Sequence, residues 1–375
     1  MHPIQMVDLK SQYTRIKSEL DMAIQHVIDD TAFIQGPQVK QFAAELAEYC
    51  DVPYVIPCAN GTDALQIALM AIDVKPGDEV IVPTFTYIAT VEVIALLQLK
   101  PVFIDVDPDT FQLDVLQLEA LITPRTKAIV PVHLYGQCSD MESIMAIGNK
   151  NNVAVIEDTA QAIGSQYRFK DGTVMRAGTI GSIGTTSFFP SKNLGCYGDG
   201  GALFTRNESL AKYMQMICNH GQSRKYYHDS IGVNSRLDTL QAAILSVKLK
   251  HLDSYATARN QVADRYYAAF TGHKDIQPPK RVTWSDHVFH QYTIKVDPKH
   301  RDALQEHLKS HGIPSMIYYP LPVHLQHAYI GYGYKKGDFP AAESLCESVL
   351  SLPIHTEMVT STQEYIIEHV LNFFK

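Results

Sequence analysis

The stretch SFFPSKNLGCYGDGG, Ser187 to Gly201, places a lone lysine, Lys192, among small and apolar residues. A lysine in such a glycine-rich, weakly charged setting can be desolvated, which lowers its pKa and frees the amine to condense with a carbonyl, although packing alone also accounts for the setting. Upstream, VIEDTAQAIGS, Val155 to Ser165, is an apolar run that leads into acidic Glu157 and Asp158. An aspartate at the end of a buried strand is placed to hold a protonated pyridine nitrogen. A covalently binding lysine with an acidic partner is what pyridoxal phosphate chemistry requires of a protein.

The rest of the chain bounds this reading. It has 375 residues, 46% hydrophobic and 19% charged, values of an ordinary soluble globular protein. That length suits two domains, or one large domain with an appendage. The net charge of −8 and pI near 6.0 argue against a broad nucleic-acid footprint. A local basic pocket for a phosphorylated small molecule is compatible with that balance. The cysteines Cys50, Cys58, Cys138, Cys196, Cys218 and Cys346 are scattered without a CxxC pair, as in reduced cytoplasmic proteins. The first residues, MHPIQMVDLKSQY, show no basic-then-apolar signal pattern, and no apolar run approaches a membrane span. A cytoplasmic protein without a membrane partner is expected.

From Tyr54 onward, short apolar runs alternate with segments of helical period. The runs Tyr54–Cys58, Glu79–Pro83, Pro101–Val106, Lys127–His133, Val153–Asp158, Gly184–Phe189 and Gly201–Thr205 are predicted strands. In Thr62–Ile72, Leu65, Ala68, Leu69 and Ile72 fall on one helical stripe. Apolar strands separated by helices predict a mainly parallel α/β sheet covered on both faces, with ligands at the carboxyl ends of the strands. Helices are predicted over Asp238–Leu249, Leu252–Phe270 and Arg301–Ser310, and a strand over Gln291–Val296. The expected division is residues 1–252, a helical amino-terminal arm and large domain, and residues 253–375, a smaller carboxyl-terminal domain.

Several motifs bear on ligands, each with a plain alternative. In ANGTDALQIAL, from Ala59, Gly61 gives backbone access and Thr62 can cap a helix whose free amides and positive dipole end suit a phosphate. A capped helix without a ligand uses the same residues. In PTFTYIAT, Pro83 to Thr90, Tyr87 stands at a strand's carboxyl end, either stacked on a planar ligand or buried as a core aromatic. Asp158 and Gln161 are three apart, suited to a ring nitrogen and a ring oxygen or face; the aspartate serves equally as a helix cap. In GVNSRLDTLQAAIL, Asn234 and Arg236 lead into a helix, and Arg236 suits a bidentate carboxylate or phosphate contact or a surface ion pair. No metal site is expected. Asp105, Asp107 and Asp109 alternate like a calcium loop, but Thr110 and Leu116 occupy the positions that need glycine and glutamate. The pairs His307/His311 and His324/His327 lack an evident third ligand in the sequence.

These motifs resemble, in order and over nearly the whole chain from Val7 to His355, the sugar aminotransferases of the DegT/DnrJ/EryC1/StrS group. The matching segments are ANGTDAL, PGDEVIVPTFTYIAT, PVFIDVDPDTFQLD, TKAIVPVHLYGQ, VIEDTAQAIGS, SFFPSKNLGCYGDGG, NHGQ and NSRLDTLQAAIL. The resemblance implies a fold-type I, aspartate aminotransferase-like architecture and pyridoxal 5'-phosphate as cofactor. It implies Lys192 as the cofactor-binding lysine, Asp158 at the pyridine nitrogen, Gln161 near the ring oxygen and Tyr87 as the stacking ring. Gly61, Thr62 and Ser187 match phosphate contacts. Asn234 matches one reaching across a dimer interface, so a homodimer with shared active sites is implied. Tyr318 and Tyr319 match a substrate-side loop. LYGQCSD, SFFPSKNLGCYGDGGA and VNSRLDTLQAAIL resemble most the 3-aminotransferases of UDP-2-acetamido-2-deoxy-3-oxo-D-glucuronate. With such a substrate, glutamate is the implied donor, Arg236 the partner of the uronate carboxylate, and surface polysaccharide biosynthesis the setting. Asp238, where glutamate or methionine is frequent, and NHGQSRKYYH depart from the group in detail. Three alternatives follow from the group: an aminotransferase for a dTDP-linked 3- or 4-keto-6-deoxy sugar, a sugar dehydratase, and a non-catalytic regulatory protein. Dehydratases of the fold commonly carry histidine in place of Lys192.

Overall fold

A computed structural model describes residues 3–375. Three helices open the chain, α1 (Leu9–Arg15), α2 (Lys17–Asp30) and α3 (Pro37–Cys50). The seven predicted strands all form and build one sheet: β1 (Tyr54–Cys58), β2 (Glu79–Pro83), β3 (Lys100–Ile104), β4 (Thr126–Ile129), β5 (Ala154–Asp158), β8 (Ile183–Ser187) and β9 (Gly201–Thr205). A small hairpin, β6 (Gln166–Arg168) with β7 (Val174–Arg176), lies between β5 and β8. The strand order is β1-β9-β8-β5-β4-β2-β3. Strands β8, β5, β4, β2 and β3 run parallel, whereas β9 is antiparallel to both its neighbours.

The apolar runs read as buried strands because successive side chains enter two different cores. Val80 and Val82 of β2 pack with α4 (Gly61–Ala71) and α5 (Ala89–Leu96) on one face, while Ile81 joins α7 (Met141–Asn151) on the other. The same alternation splits Ile156 from Val155 in β5. The short α6 (Val115–Leu118) contributes Leu118 to the α7 side. Helix α8 (Glu208–Cys218) adds Met214 and Ile217 to the α4 side. Across the sheet, α3 and α9 (Thr239–Leu249) close a third cluster around Phe42, Phe188, Phe204 and Leu245. Burying one such side chain contributes about 1.5–3 kcal/mol.

A two-stranded ribbon, β10 (Gln222–Arg224) with β11 (Tyr227–His228), follows α8. The long α10 (Leu252–Phe270) spans the residues its periodicity predicts. A three-stranded antiparallel sheet of β12 (Ile276–Gln277), β13 (Tyr292–Val296) and β14 (Val349–Leu352) packs with α10, α11 (Pro298–Ser310) and α13 (Thr360–Phe373). Its core holds Phe270, Tyr292, Leu304, Leu308, Ile366 and Val370. Helix α12 (Pro340–Ser348) and the stretch before it turn back instead. Val323, Tyr329, Phe339 and Leu345 sit in the cluster of α4 and α5. His324 pins this segment to the end of β2, its Nδ1 2.8 Å from Thr84 Oγ1 and its Nε2 3.3 Å from Glu343. Among the described residues no helix is long and apolar enough to cross a membrane, and all six cysteines are free and buried.

Candidate active site

The carboxyl ends of β2, β5 and β8 converge with the start of α4. At β5 two adjacent acids take opposite faces, as strand periodicity requires. Glu157 accepts amides from Gly178 (2.9 Å), Ile180 (2.7 Å) and Gly181 (2.6 Å), and lies 2.9 Å from His133 Nε2. His133 Nδ1 accepts from the Ser139 amide at 3.2 Å, so the ring proton sits on Nε2 and is given to Glu157. Asp158, on the α4 side, accepts from Thr90 Oγ1 at 2.9 Å and from the Ala160 amide at 3.1 Å. Both its oxygens are thereby held in place.

Lys192 follows β8 in a turn closed by its own amide on the Phe189 carbonyl, 2.8 Å. Burial pushes its pKa down to about 8, against the opposing pull of the Asp158 carboxylate. The amine therefore gives up its proton at a lower pH than a free lysine does. A Cβ on Gly195 would lie 2.3 Å from the Pro190 carbonyl oxygen, so glycine permits the loop to fold on itself. A second buried lysine, Lys248 of α9, donates to the Gly195 carbonyl at 2.6 Å and ties the loop to the helix beneath.

Gln161 is fixed at both ends of its amide. Its Oε1 accepts from the Tyr135 amide at 2.7 Å, and its Nε2 donates to the Tyr319 hydroxyl at 3.2 Å. The Tyr319 ring lies 6.1 Å from that of Tyr87. Tyr87 is 56% exposed, so the core-aromatic alternative fails and a ring face is available for stacking. The Tyr318 carbonyl accepts from the Tyr135 hydroxyl.

One sequence expectation is corrected at α4. The cap is Asn60, not Thr62: Asn60 Oδ1 accepts the Asp63 amide at 2.8 Å and its carbonyl takes Ala64. Residues Gly61 and Thr62 fall in the first turn, where amides have no helical partner and the dipole favours an anion. Ser187 closes the other side. A Cβ on Gly61 would come within 2.7 Å of Ser187 Cβ, and one on Gly201 within 2.5 Å of the Asn60 carbonyl. The starts of α4 and β9 and the end of β8 are thus packed so closely that only glycine fits at positions 61 and 201.

The structure thus gathers Lys192, Asp158, Gln161, Tyr87 and Tyr319, with Gly61, Thr62 and Ser187 beside them. Arg236 stands elsewhere in the chain. It lines a groove of about 600 Å³ between α3, β1 and α8, whose walls include none of those residues. Among the described residues of the chain it forms no ion pair. Asn234 is exposed, its backbone bridged to Asn219.

Sequence reading missed Thr90, Lys248 and His290. His290 is buried, and burial with the charges of Lys192 and Arg259 drives its pKa well down, so the imidazole is neutral. Nothing in the local sequence marks these three, because each acts on a residue distant in the chain. The gathered groups fit pyridoxal phosphate: an amine of lowered pKa, a held carboxylate for the ring nitrogen, an open aromatic face and an anion cradle.

Comparison with known proteins agrees. The model of the DegT/DnrJ/EryC1/StrS aminotransferase family matches residues 14–371. The chain is 46% identical over 374 residues to the "pleiotropic regulatory protein" of Geobacillus stearothermophilus, covering 99% of each. It is 45% identical over 369 residues to the UDP-2-acetamido-2-deoxy-3-oxo-D-glucuronate aminotransferase of Pseudomonas aeruginosa, covering 98% of this chain and 100% of that one. Among solved structures, DesV of S. venezuelae superposes with a TM-score of 0.95 at 39% identity, over 100% and 99% of the two chains. Other aminotransferases of this fold are solved in a PLP form and with bound PMP. The chain belongs to the DegT/DnrJ/EryC1/StrS aminotransferase family, and pyridoxal 5'-phosphate is its cofactor.

Proposed function

We propose that this enzyme moves an amino group from L-glutamate to UDP-2-acetamido-2-deoxy-3-oxo-D-glucuronate, as a step toward a surface polysaccharide. The single observation that carries the choice of sugar is full-length similarity to an aminotransferase of that name. Arg236, an arginine without an anionic partner among the described residues, supports it as the group that would receive the uronate carboxylate. In this reading the enzyme works as a cytoplasmic homodimer, with Asn234 and Arg236 serving the neighbouring subunit's site. Residues 1–252 form its arm and cofactor-binding domain, and residues 253–375 its smaller domain.

The bound cofactor supplies an electron-withdrawing ring that weakens the C–H bond beside the amine nitrogen. The chain's own residues do the rest. The amine of Lys192, with its lowered pKa, takes that proton and returns it, first for the donor and then, in reverse, for the sugar. Asp158, held by Thr90 and the Ala160 amide, keeps a proton on the ring nitrogen. Gln161 and Tyr87 orient the ring, Gly61, Thr62 and Ser187 hold its phosphate, and Tyr318 and Tyr319 border the sugar.

The deciding experiment offers the amino form of the enzyme a panel of UDP- and dTDP-linked keto-sugars, with wild type and Arg236→Ala compared. Losing a bonded charge pair costs about 2–5 kcal/mol, so turnover of the uronate should fall at least about thirtyfold. A neutral 6-deoxy sugar should be affected only slightly. Equal losses on both would refute carboxylate recognition and favour the dTDP-linked alternative.

A further inference from the structure

Helix α13 brings His369 against the pair His307 and His311, which stand one turn apart at the end of α11. Each of the three offers a ring nitrogen, and these lie within 4.8 Å of one another. The ring centroids are 4.5 Å apart for His307–His311, 4.1 Å for His311–His369 and 6.0 Å for His307–His369.

We propose that His307, His311 and His369 form a site for a divalent transition ion of the zinc class, which clasps α13 to α11. The donors are prepared for it. His311 Nδ1 lies 2.8 Å from the His307 carbonyl, which can only accept, so Nδ1 carries the proton and Nε2 the lone pair. Fixing the far ring nitrogen on a backbone carbonyl is how metal-binding histidines are oriented. His307 Nε2 is buried and has no hydrogen-bond partner. A polar nitrogen in that condition is unfavourable unless something else satisfies it. None of the three imidazoles forms an ion pair with a carboxylate among the described residues.

The surroundings add a supporting shell. The Tyr365 hydroxyl donates to the His311 carbonyl at 3.2 Å, and its ring lies 4.3 Å from that of His369. Phe373 lies 5.5 Å from the His307 ring and walls the cluster. A tetrahedral ion with bonds of about 2.0–2.1 Å sets its nitrogens roughly 3.4 Å apart, so the rings close by about an ångström or so, chiefly by turning exposed His311. Three imidazoles suit zinc, nickel or cobalt better than calcium or magnesium, and leave the fourth position to water. The ion would join two helices that cover the same core, through Leu304 and Leu308 of α11 and Ile366 and Val370 of α13.

The test uses tag-free, pyridoxal phosphate-loaded enzyme, stripped with chelator and titrated with zinc chloride by calorimetry, with melting temperature recorded at each ratio. Wild type should take up one ion per chain and melt higher as it does so, since binding to the folded state alone stabilises it. His311→Ala and His369→Ala should each bind at least about tenfold more weakly and lose the zinc-dependent rise in melting temperature, while keeping cofactor absorbance and turnover. Cobalt chloride should give the visible bands of a tetrahedral site in wild type only. Absence of uptake by wild type up to about 100 μM zinc would overturn the proposal. So would variants that bind as wild type does, since that would show adventitious binding elsewhere.

Discussion

Replacing Lys192 by methionine should make the cofactor-free protein more stable while abolishing turnover. The amine's pKa falls from 10.5 to about 8 because the folded chain buries it. At about 1.4 kcal/mol per tenfold, that displacement corresponds to roughly 3 kcal/mol of unfavourable charge burial. Lys192 is half-buried rather than sealed, which reduces the figure to about 2 kcal/mol. The sign follows from proton counting. Below pH 8 the lysine is charged in both folded and unfolded chains, and the full cost is present. Between pH 8 and 10.5 the folded chain releases its proton first, so wild-type stability rises relative to the variant. Above 10.5 both states are neutral and the difference has gone. Urea melts of cofactor-free wild type and Lys192→Met at pH 7, 9 and 10.5 measure this directly. The variant should lead by about 2 kcal/mol at pH 7, with the gap closing as pH rises. A gap independent of pH, or a less stable variant at pH 7, would refute the desolvated-lysine argument.

Thr90→Val removes the hydroxyl that holds Asp158 Oδ2 without altering side-chain shape. A hydrogen bond to a charged group contributes about 1.5–3 kcal/mol, so turnover should drop about ten- to a hundredfold and recover in Thr90→Ser; a fully active valine variant would contradict the positioning role. Gly61→Ala places a methyl group 2.7 Å from Ser187 Cβ, so α4 and β8 must separate. With overpacking at about 1–3 kcal/mol, pyridoxal phosphate should bind at least about fivefold more weakly by absorbance titration; unchanged affinity would mean the phosphate sits elsewhere.

The sheet was legible because β2, β5 and their neighbours are buried on both faces and so read as unbroken apolar runs. The long period of Leu252–Phe270 was equally plain, since one face of α10 carries Val262, Tyr266 and Phe270 into the core. The reversed direction of β9 left no trace in its residues, because Gly201–Thr205 is buried whichever way it runs. The cap at α4 was legible and misassigned: Asn60 is the stronger capping residue, one position ahead of the glycine. At the candidate site, Lys192, Asp158 and Gln161 are marked as candidates by their local setting, Asp158 with a helix cap as its plain alternative. Thr90, Lys248 and His290 are not, because a threonine on a helix, a lysine in an apolar helix and a histidine before a strand gain meaning only from what folds against them. His369 is of the same kind, fifty-eight positions beyond His311 and joined to it only by the packing of α13 on α11.

The opposed carboxylates of β5 make that strand a lever with its handle out of sight. Glu157 is gripped by three amides and His133, and the pleat transmits that grip through one peptide bond to Asp158. In the proposed reading, the depth at which Asp158 would meet the cofactor is set partly from behind the sheet, in addition to the hold of Thr90 and the Ala160 amide. Lesions in the loop of Gly178–Gly181 would then surface as altered cofactor colour and chemistry, and a screen for such variants would map a control surface on the face of the sheet opposite the active site.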